Sequence, residues 1–279
     1  MGVSQTESKT ESQAESQTSA PDHAKNQADA DILSFIESAD TQRTGFDLST
    51  YHPVIITIDG PAGTGKSTVA RELAIKLGLD FLDTGAMYRA AAAIMIDRNI
   101  PEEEIGELVT MVLGADLHFD WSQDPPMILA WNSPIDHRIR NDDVTKMVSF
   151  VAAIPELRHH MVRKQRVIGA QHPRLVTEGR DQGSVVFPDA AIKFYLDADP
   201  EVRAKRRIDQ LGVADTVGLE EMCERIVRRD KIDSGRDDGP LVCPDDAIVI
   251  DTAKYDVQGV IDLLEKHTRE RIASLINTD

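Results

Sequence analysis

Apolar residues fall into two alternating rhythms along the chain. From Tyr51 onward, short β-branched runs such as Val54 to Ile58 give way to stretches in which apolar positions recur every three or four residues, as at Val69, Leu73, Ala74 and Leu77. The first rhythm predicts buried strands at 54–59, 174–178, 192–196 and 247–250. The second predicts helices over 66–77, 85–97, 200–211, 219–231 and 256–275. Strands alternating with helices predict βαβ units, hence an α/β class with a parallel sheet. Pro53, Pro173, Pro188 and Pro200 punctuate the segment edges. Between about 101 and 172 the rhythm changes. A helical run at 101–113, strand-like pieces at 116–121 and 127–131, and helices at 142–153 and 155–169 read as a lobe inserted between two core strands.

Residues 1–50 follow neither rhythm. They are rich in Ser, Gln, Thr, Glu and Ala, carry nine acids against three bases, and read as a disordered acidic tail, with one amphipathic turn expected at 31–36. The amino-terminal stretch has no basic n-region or apolar h-region, so it is not read as a secretory signal. No apolar run approaches the ~20 residues that cross a bilayer. Cys223 and Cys243 stand apart from any C-x-x-C spacing and are expected to be reduced thiols in a cytoplasmic protein. A formal net charge of −17 argues against a nucleic-acid partner, since phosphate contacts need a basic face. Any anionic ligand must therefore be gripped by locally concentrated Arg and Lys.

Such a grip is written at 60–68. Gly60-Pro61-Ala62-Gly63-Thr64-Gly65-Lys66-Ser67-Thr68 fits the phosphate-loop pattern G-x-x-x-x-G-K-[ST], placed between a predicted strand and a predicted helix. Glycines let successive N–H groups turn toward phosphate oxygens, and the helix N-terminus adds positive potential. Lys66 is expected to reach the β- and γ-phosphates of a nucleoside triphosphate, and the Ser67 hydroxyl to ligate Mg²⁺. With average glycine usage the pattern arises by accident in only ~1% of chains this long.

Three further segments carry charge beside predicted element ends. They are Asp83-Thr84-Gly85-Ala86-Met87-Tyr88-Arg89, Glu178-Gly179-Arg180-Asp181-Gln182-Gly183, and the cation- and carboxylate-rich stretch from Arg228 to Arg236. Any one alone reads as a solvated patch. Together with a phosphate loop they point to a two-substrate phosphoryl-transfer site, because ligands of open α/β sheets bind at the carboxyl ends of strands.

These segments, with VAAIPELR at 151–158, RRDKIDSGRDDGPL at 228–241 and DDAIVIDT at 245–252, closely resemble the bacterial cytidylate kinases. The resemblance runs from about residue 52 to near the C-terminus. It implies a P-loop nucleotide kinase fold, a parallel sheet flanked by helices with an inserted nucleoside-monophosphate lobe and a short lid near 203–218. It implies ATP-dependent, Mg²⁺-assisted phosphorylation of CMP, and of dCMP, by a monomeric enzyme. Lys66, Arg89, Arg180 and Arg206 are then expected to carry catalysis. Arg89, Arg180 and Arg236 would hold the CMP phosphate; Ser149, Arg158 and Asp181 would read cytosine; Arg229 and Asp233 would contact the ribose. Arg203, Arg206 and Arg207 recur on one helical face, where the lid would fold over ATP. Two positions depart from the family pattern: Gln182 stands where an apolar residue is usual, and Gly239 where Ala is commoner. Neither is expected to touch a charged role.

Competing readings are weaker. A kinase for UMP or a shikimate-like acid conflicts with the base-reading set, and a non-catalytic nucleotide module with the second cationic cluster. No Asn-Lys-x-Asp signature supports a GTPase. His159-His160 has no acid or Cys at zinc spacing. Trp121 and Trp131 are expected to pack the small core of the inserted hairpin.

Overall fold

The computed structural model describes residues 54–213 and 216–276. The tail over 1–50, with its expected turn at 31–36, lies outside the described residues.

Among the described residues the central sheet has five parallel strands, β1 (Val54–Asp59), β2 (Asp80–Asp83), β6 (Arg174–Glu178), β7 (Ile192–Asp197) and β8 (Ile248–Asp251). They lie in the order β2-β6-β1-β7-β8. Helices cover the sheet, so β1 reads as a continuous apolar run instead of alternating: Ile56 and Ile58 are fully buried. Helices α1 (Lys66–Leu77) and α8 (Val257–Ile276) enclose one core with β1 and β7, which includes Leu73, Phe194, Leu196 and Leu264.

Between β2 and β6 the chain forms α2 (Thr84–Asp97), α3 (Ile105–Gly114), a three-stranded antiparallel sheet of β3 (His118–Asp120), β4 (Met127–Ala130) and β5 (Ser133–Pro134), then α4 (Asp142–Val151) and α5 (Pro155–Gln171). These share a second core with Leu82, Leu117, Ile128 and Leu157. Ala90 to Ala93 of α2 are all fully buried, and four small residues in a row let the neighbouring helices approach closely. After β7, α6 (Pro200–Leu211) and α7 (Leu219–Ser234) pack through Ala204, Ile208, Met222 and Ile226.

Every predicted core element is present, with ends displaced by a few residues. Three local differences have clear causes. The helix expected from 101 begins at Ile105, because Pro101 starts a turn that Glu104 closes by donating its N–H to the Pro101 carbonyl at 3.1 Å. Residues Gln182–Val186 form a π-helical turn that no simple period announces. Trp121 meets its expectation, stacking on His172 with ring centroids 3.6 Å apart. Trp131 does not: it is 41% exposed at φ 49° beside Asn132 at φ 59°, in the tight turn that joins β4 to β5. Two consecutive left-handed residues fit the twist of a hairpin and point that side chain away from the core. Arg98 lies over the exposed ring, 4.9 Å from its centroid.

Register aligns the carboxyl ends of the strands on one rim. Ile58 pairs with Glu178, and Asp83 pairs with Glu178, so Asp59, Asp83 and Glu178 gather where the phosphate loop begins. Phe194 is fully buried under that rim. Phe194→Ala is expected to cost about 3–5 kcal/mol of stability, measured by urea denaturation, with little change in slope.

Candidate active site

The phosphate loop is shaped by backbone constraints. Gly60 has φ 146° and packs so tightly that a Cβ would overlap the Leu196 carbonyl oxygen. Gly65, at φ 92°, leads into α1, whose N-terminus has no side-chain cap and no acidic residue in its first turn. Its free N–H groups are therefore left for an anion. Lys66 is buried, and its Nζ folds back to donate to the Pro61 carbonyl at 2.7 Å and to Thr64 Oγ1 at 3.4 Å. Burial, with Arg180 nearby, pulls the Lys66 pKa well below its ordinary value despite Glu178 and Asp59. Thr68 and Ser67 start the helix on its exposed side.

Buried carboxylates surround this lysine. Ser67 Oγ donates to Glu178 Oε1 at 2.6 Å, and burial, with Asp83 adding to it, pushes the Glu178 carboxyl upward. Asp59 is raised to about 6 by burial, although it accepts the backbone N–H groups of Gln182 at 2.9 Å and Gly183 at 2.7 Å. Thr84 Oγ1 donates to the Glu178 carbonyl at 2.7 Å, tying α2 to the end of β6. Asp83 accepts from the Ala86 N–H at 3.1 Å and caps α2.

A second group of cations converges on Asp233, which is 1% exposed near the end of α7. Arg180 Nε donates to its Oδ2 at 3.1 Å, Arg236 pairs with its Oδ1, and Arg229 Nε lies 3.9 Å from Oδ2. Burial alone would raise the Asp233 pKa, but the three guanidinium groups outweigh it and hold the carboxyl low. One carboxylate cannot balance three cations. Burial and Arg180 press the Arg229 pKa down to about 9, still high enough for it to stay charged. Arg89 Nε, Arg229 Nε and Arg236 Nε are buried without a hydrogen-bond partner among the described residues. This cluster is short of negative charge.

Beside it, Arg158 and Asp181 form a buried ion pair, with the Arg158 guanidinium 5.8 Å from the Tyr88 ring centroid and 3.7 Å from Asp238. The Tyr88 hydroxyl is buried without a partner, and burial raises its pKa. Ser149 is buried on α4.

Ser149 aside, the predicted site residues therefore gather around one rim, with one exception. Arg206 donates to the Thr252 hydroxyl at 2.9 Å and to its carbonyl at 2.7 Å, away from the cluster. Successive helical residues point about 100° apart, so Arg207 takes the other direction. Burial and the Arg89 charge lower the Arg207 pKa. Arg203 is buried and clamps the phosphate loop, donating to the Ala62 carbonyl at 3.0 Å and to Asp230 at 2.6 Å, while Asp230 accepts the Ala62 N–H at 3.3 Å. Sequence reasoning missed Asp59, Glu178, Tyr88 and Asp230. Asp59 and Glu178 were legible as carboxylates ending predicted strands; Asp230 and the threefold use of Asp233 were not.

Residues 56–270 match the family profile described as cytidylate kinase. The cytidylate kinase of Caldanaerobacter subterraneus subsp. tengcongensis is 42% identical over 224 residues, covering 80% of this chain and 94% of that protein. That of Methylococcus capsulatus is 41% identical, covering 74% and 93%. That of Corynebacterium efficiens is 40% identical, covering 75% and 91%.

Two outcomes follow from the charge imbalance. Asp233→Asn leaves three arginines without their shared anion and is expected to lose about 3–5 kcal/mol, partly recovered in thermal melts by added ATP and CMP. Lys66 holds its proton weakly in the free protein, and an anionic ligand raises its pKa. Binding of ATP in EDTA should therefore take up protons, more at pH 8 than at pH 6, as read by calorimetry in buffers of different ionisation enthalpy. In Lys66→Ala this uptake should vanish.

Proposed function

The chain belongs to the cytidylate kinase family, and on that premise we propose that it transfers the γ-phosphoryl group of ATP to CMP, giving ADP and CDP. The observation that carries this reading is the pairing of a phosphate loop with an anion-deficient arginine cluster, which asks for two phosphorylated ligands. ATP lies along residues 60–68, and CMP presents its phosphate to Arg89, Arg180 and Arg236. The unpartnered Nε atoms of Arg89 and Arg236 support this. A CMP phosphate oxygen attacks the γ-phosphorus in line, the bond to the β–γ bridging oxygen breaks, and ADP leaves with that electron pair. The attacking oxygen is already anionic, so no strong general base is needed. Lys66, Arg89 and Arg180 act by positioning and by opposing the charge spread over the transferring group.

The hydroxyl of Ser67 and the carboxylate of Glu178, 2.6 Å apart, are the hard oxygen donors that would hold Mg²⁺. When bound, that ion supplies charge neutralisation at the β- and γ-phosphates. Arg158 and Asp181 read the base with Ser149. Cytosine offers an amino donor to a carboxylate, whereas uracil sets a carbonyl against it, and an unpaired buried polar group costs about 1–3 kcal/mol. Arg229 and Asp233 lie toward the ribose. Both Asp233 oxygens are already engaged by arginines, which supports acceptance of dCMP without a strict need for the 2′-hydroxyl. Residues 101–172 serve as the acceptor lobe and 203–218 as a lid whose closure excludes water. In this lid Arg207, rather than Arg206, has the charge environment of a cleft residue. The protein works as a cytoplasmic monomer, and among the described residues no helix is long and apolar enough to cross a membrane.

The test is ADP release over a panel of nucleoside monophosphates. CMP and dCMP should stimulate release strongly and UMP weakly, with Lys66→Ala reduced about 10²-fold or more. A CMP rate no higher than ATP alone defeats the reading, and a UMP or shikimate preference replaces it with the competing one.

A further inference from the structure

Gln182 and Gly239 meet at one carboxylate, that of Asp181. Gln182 is fully buried in the π-helical turn after Asp181, and its side chain reaches three groups. Its Oε1 accepts from the Thr177 hydroxyl at 3.0 Å, and its Nε2 donates to Gln165 Oε1 at 3.1 Å and lies 3.5 Å from Asp181 Oδ1. The opposite amide orientation would set a carbonyl oxygen against the Asp181 carboxylate, so repulsion fixes the donor end toward it. Gln165, on α5, is also fully buried. The Asp181 oxygen left over by Arg158 thus faces a donor anchored at its far end in the sheet and the helix.

Gly239 closes the other side. It has φ 59°, and a Cβ there would overlap Arg158 Nη2 and come within 2.6 Å of Asp181 Oδ2. Its backbone is thus seated on the ion pair, where the absence of a side chain lets Arg158 reach Asp181. Asp238, next in the chain, holds Arg158 from a further direction at 3.7 Å, and Leu241 anchors the same loop by donating its N–H to the Asp233 carbonyl at 2.9 Å. The sequence expectation that both departures leave the charged residues untouched is therefore corrected.

We infer that Gln182 and Gly239 are positioning residues that together preset the Asp181 carboxylate, and thereby sharpen discrimination between an acceptor pyrimidine with an amino group and one with a carbonyl at the same position. This deepens the proposed function and rests on its assignment of Asp181 to the acceptor base. A buried carboxylate held through both oxygens cannot turn away from an opposing carbonyl, so the mismatch stays costly. A carboxylate freed on one side can rotate, weakening its grip on the amino group and tolerating the carbonyl.

The experiment measures kcat and KM for CMP and for UMP at saturating ATP, and KM for ATP at saturating CMP, in the full chain and in Gln182→Met, Gly239→Ala and the double variant. Wild type is measured first: no preference for CMP over UMP removes the functional reading itself, and with it this inference. Given that preference, each single variant should raise KM for CMP about 3–10-fold, lower the CMP-to-UMP ratio of kcat/KM about tenfold, and leave KM for ATP within about twofold. The double variant should lose less than the product of the two single effects, since both act on the same carboxylate. Gly239→Ala, in a loop, remains informative if Gln182→Met does not fold. An unchanged CMP-to-UMP ratio overturns the inference. So does a parallel loss for CMP, UMP and ATP, which marks a merely structural role.

Discussion

The site depends on an imbalance of buried charge. Guanidinium and ammonium groups are expensive to remove from water, and each needs an opposing charge at close range. Around the rim of the sheet, the carboxylates supply fewer opposing contacts than the cations demand. Asp233 answers three arginines, Arg89 Nε has no partner, and Lys66 must turn back to its own loop for an acceptor. Burial first, and the charge of Arg180 second, hold the pKa values of Lys66 and Arg229 below their ordinary range. Two nucleotides bring the missing negative charge, so binding energy and catalytic field have one origin.

The fold makes this arrangement affordable by anchoring each charged group to rigid structure. Asp59 ends the central strand and holds the turn at Gln182 and Gly183 through two backbone N–H groups. That link joins the phosphate loop to the segment that carries Arg180 and Asp181. Arg203 and Asp230, from α6 and α7, grip the backbone at Ala62. The phosphate loop, the arginines around Asp233 and the Arg158–Asp181 pair are thus braced against one another, while net acidity elsewhere leaves the cleft as the place where positive charge concentrates.

Legibility varied with the range of the interaction. Strand and helix positions follow from local apolar rhythm, and the phosphate loop from glycine spacing, so both were readable. The threefold role of Asp233 was not, because Arg180 is far away in sequence and only the tertiary fold brings it there. Arg206 and Arg207 are neighbours on one helix, and sequence alone does not say which of two directions faces the cleft. Trp131 looked like a core residue by type, yet a tight hairpin turn exposes it. Gln182 and Gly239 looked peripheral because their common target, Asp181, is adjacent to one of them only.

By itself the sequence determined the α/β class, the phosphate-gripping loop and the kinase family, since each rests on residues close together in the chain or on fixed spacing. Tertiary structure alone decided which oxygen each arginine reaches, which cations stay unbalanced, and how the Asp181 carboxylate is braced. Those features arise where strands and helices distant in sequence converge on one rim. Coulomb and hydrogen-bond energies there change within an ångström or two, a precision that no local pattern encodes.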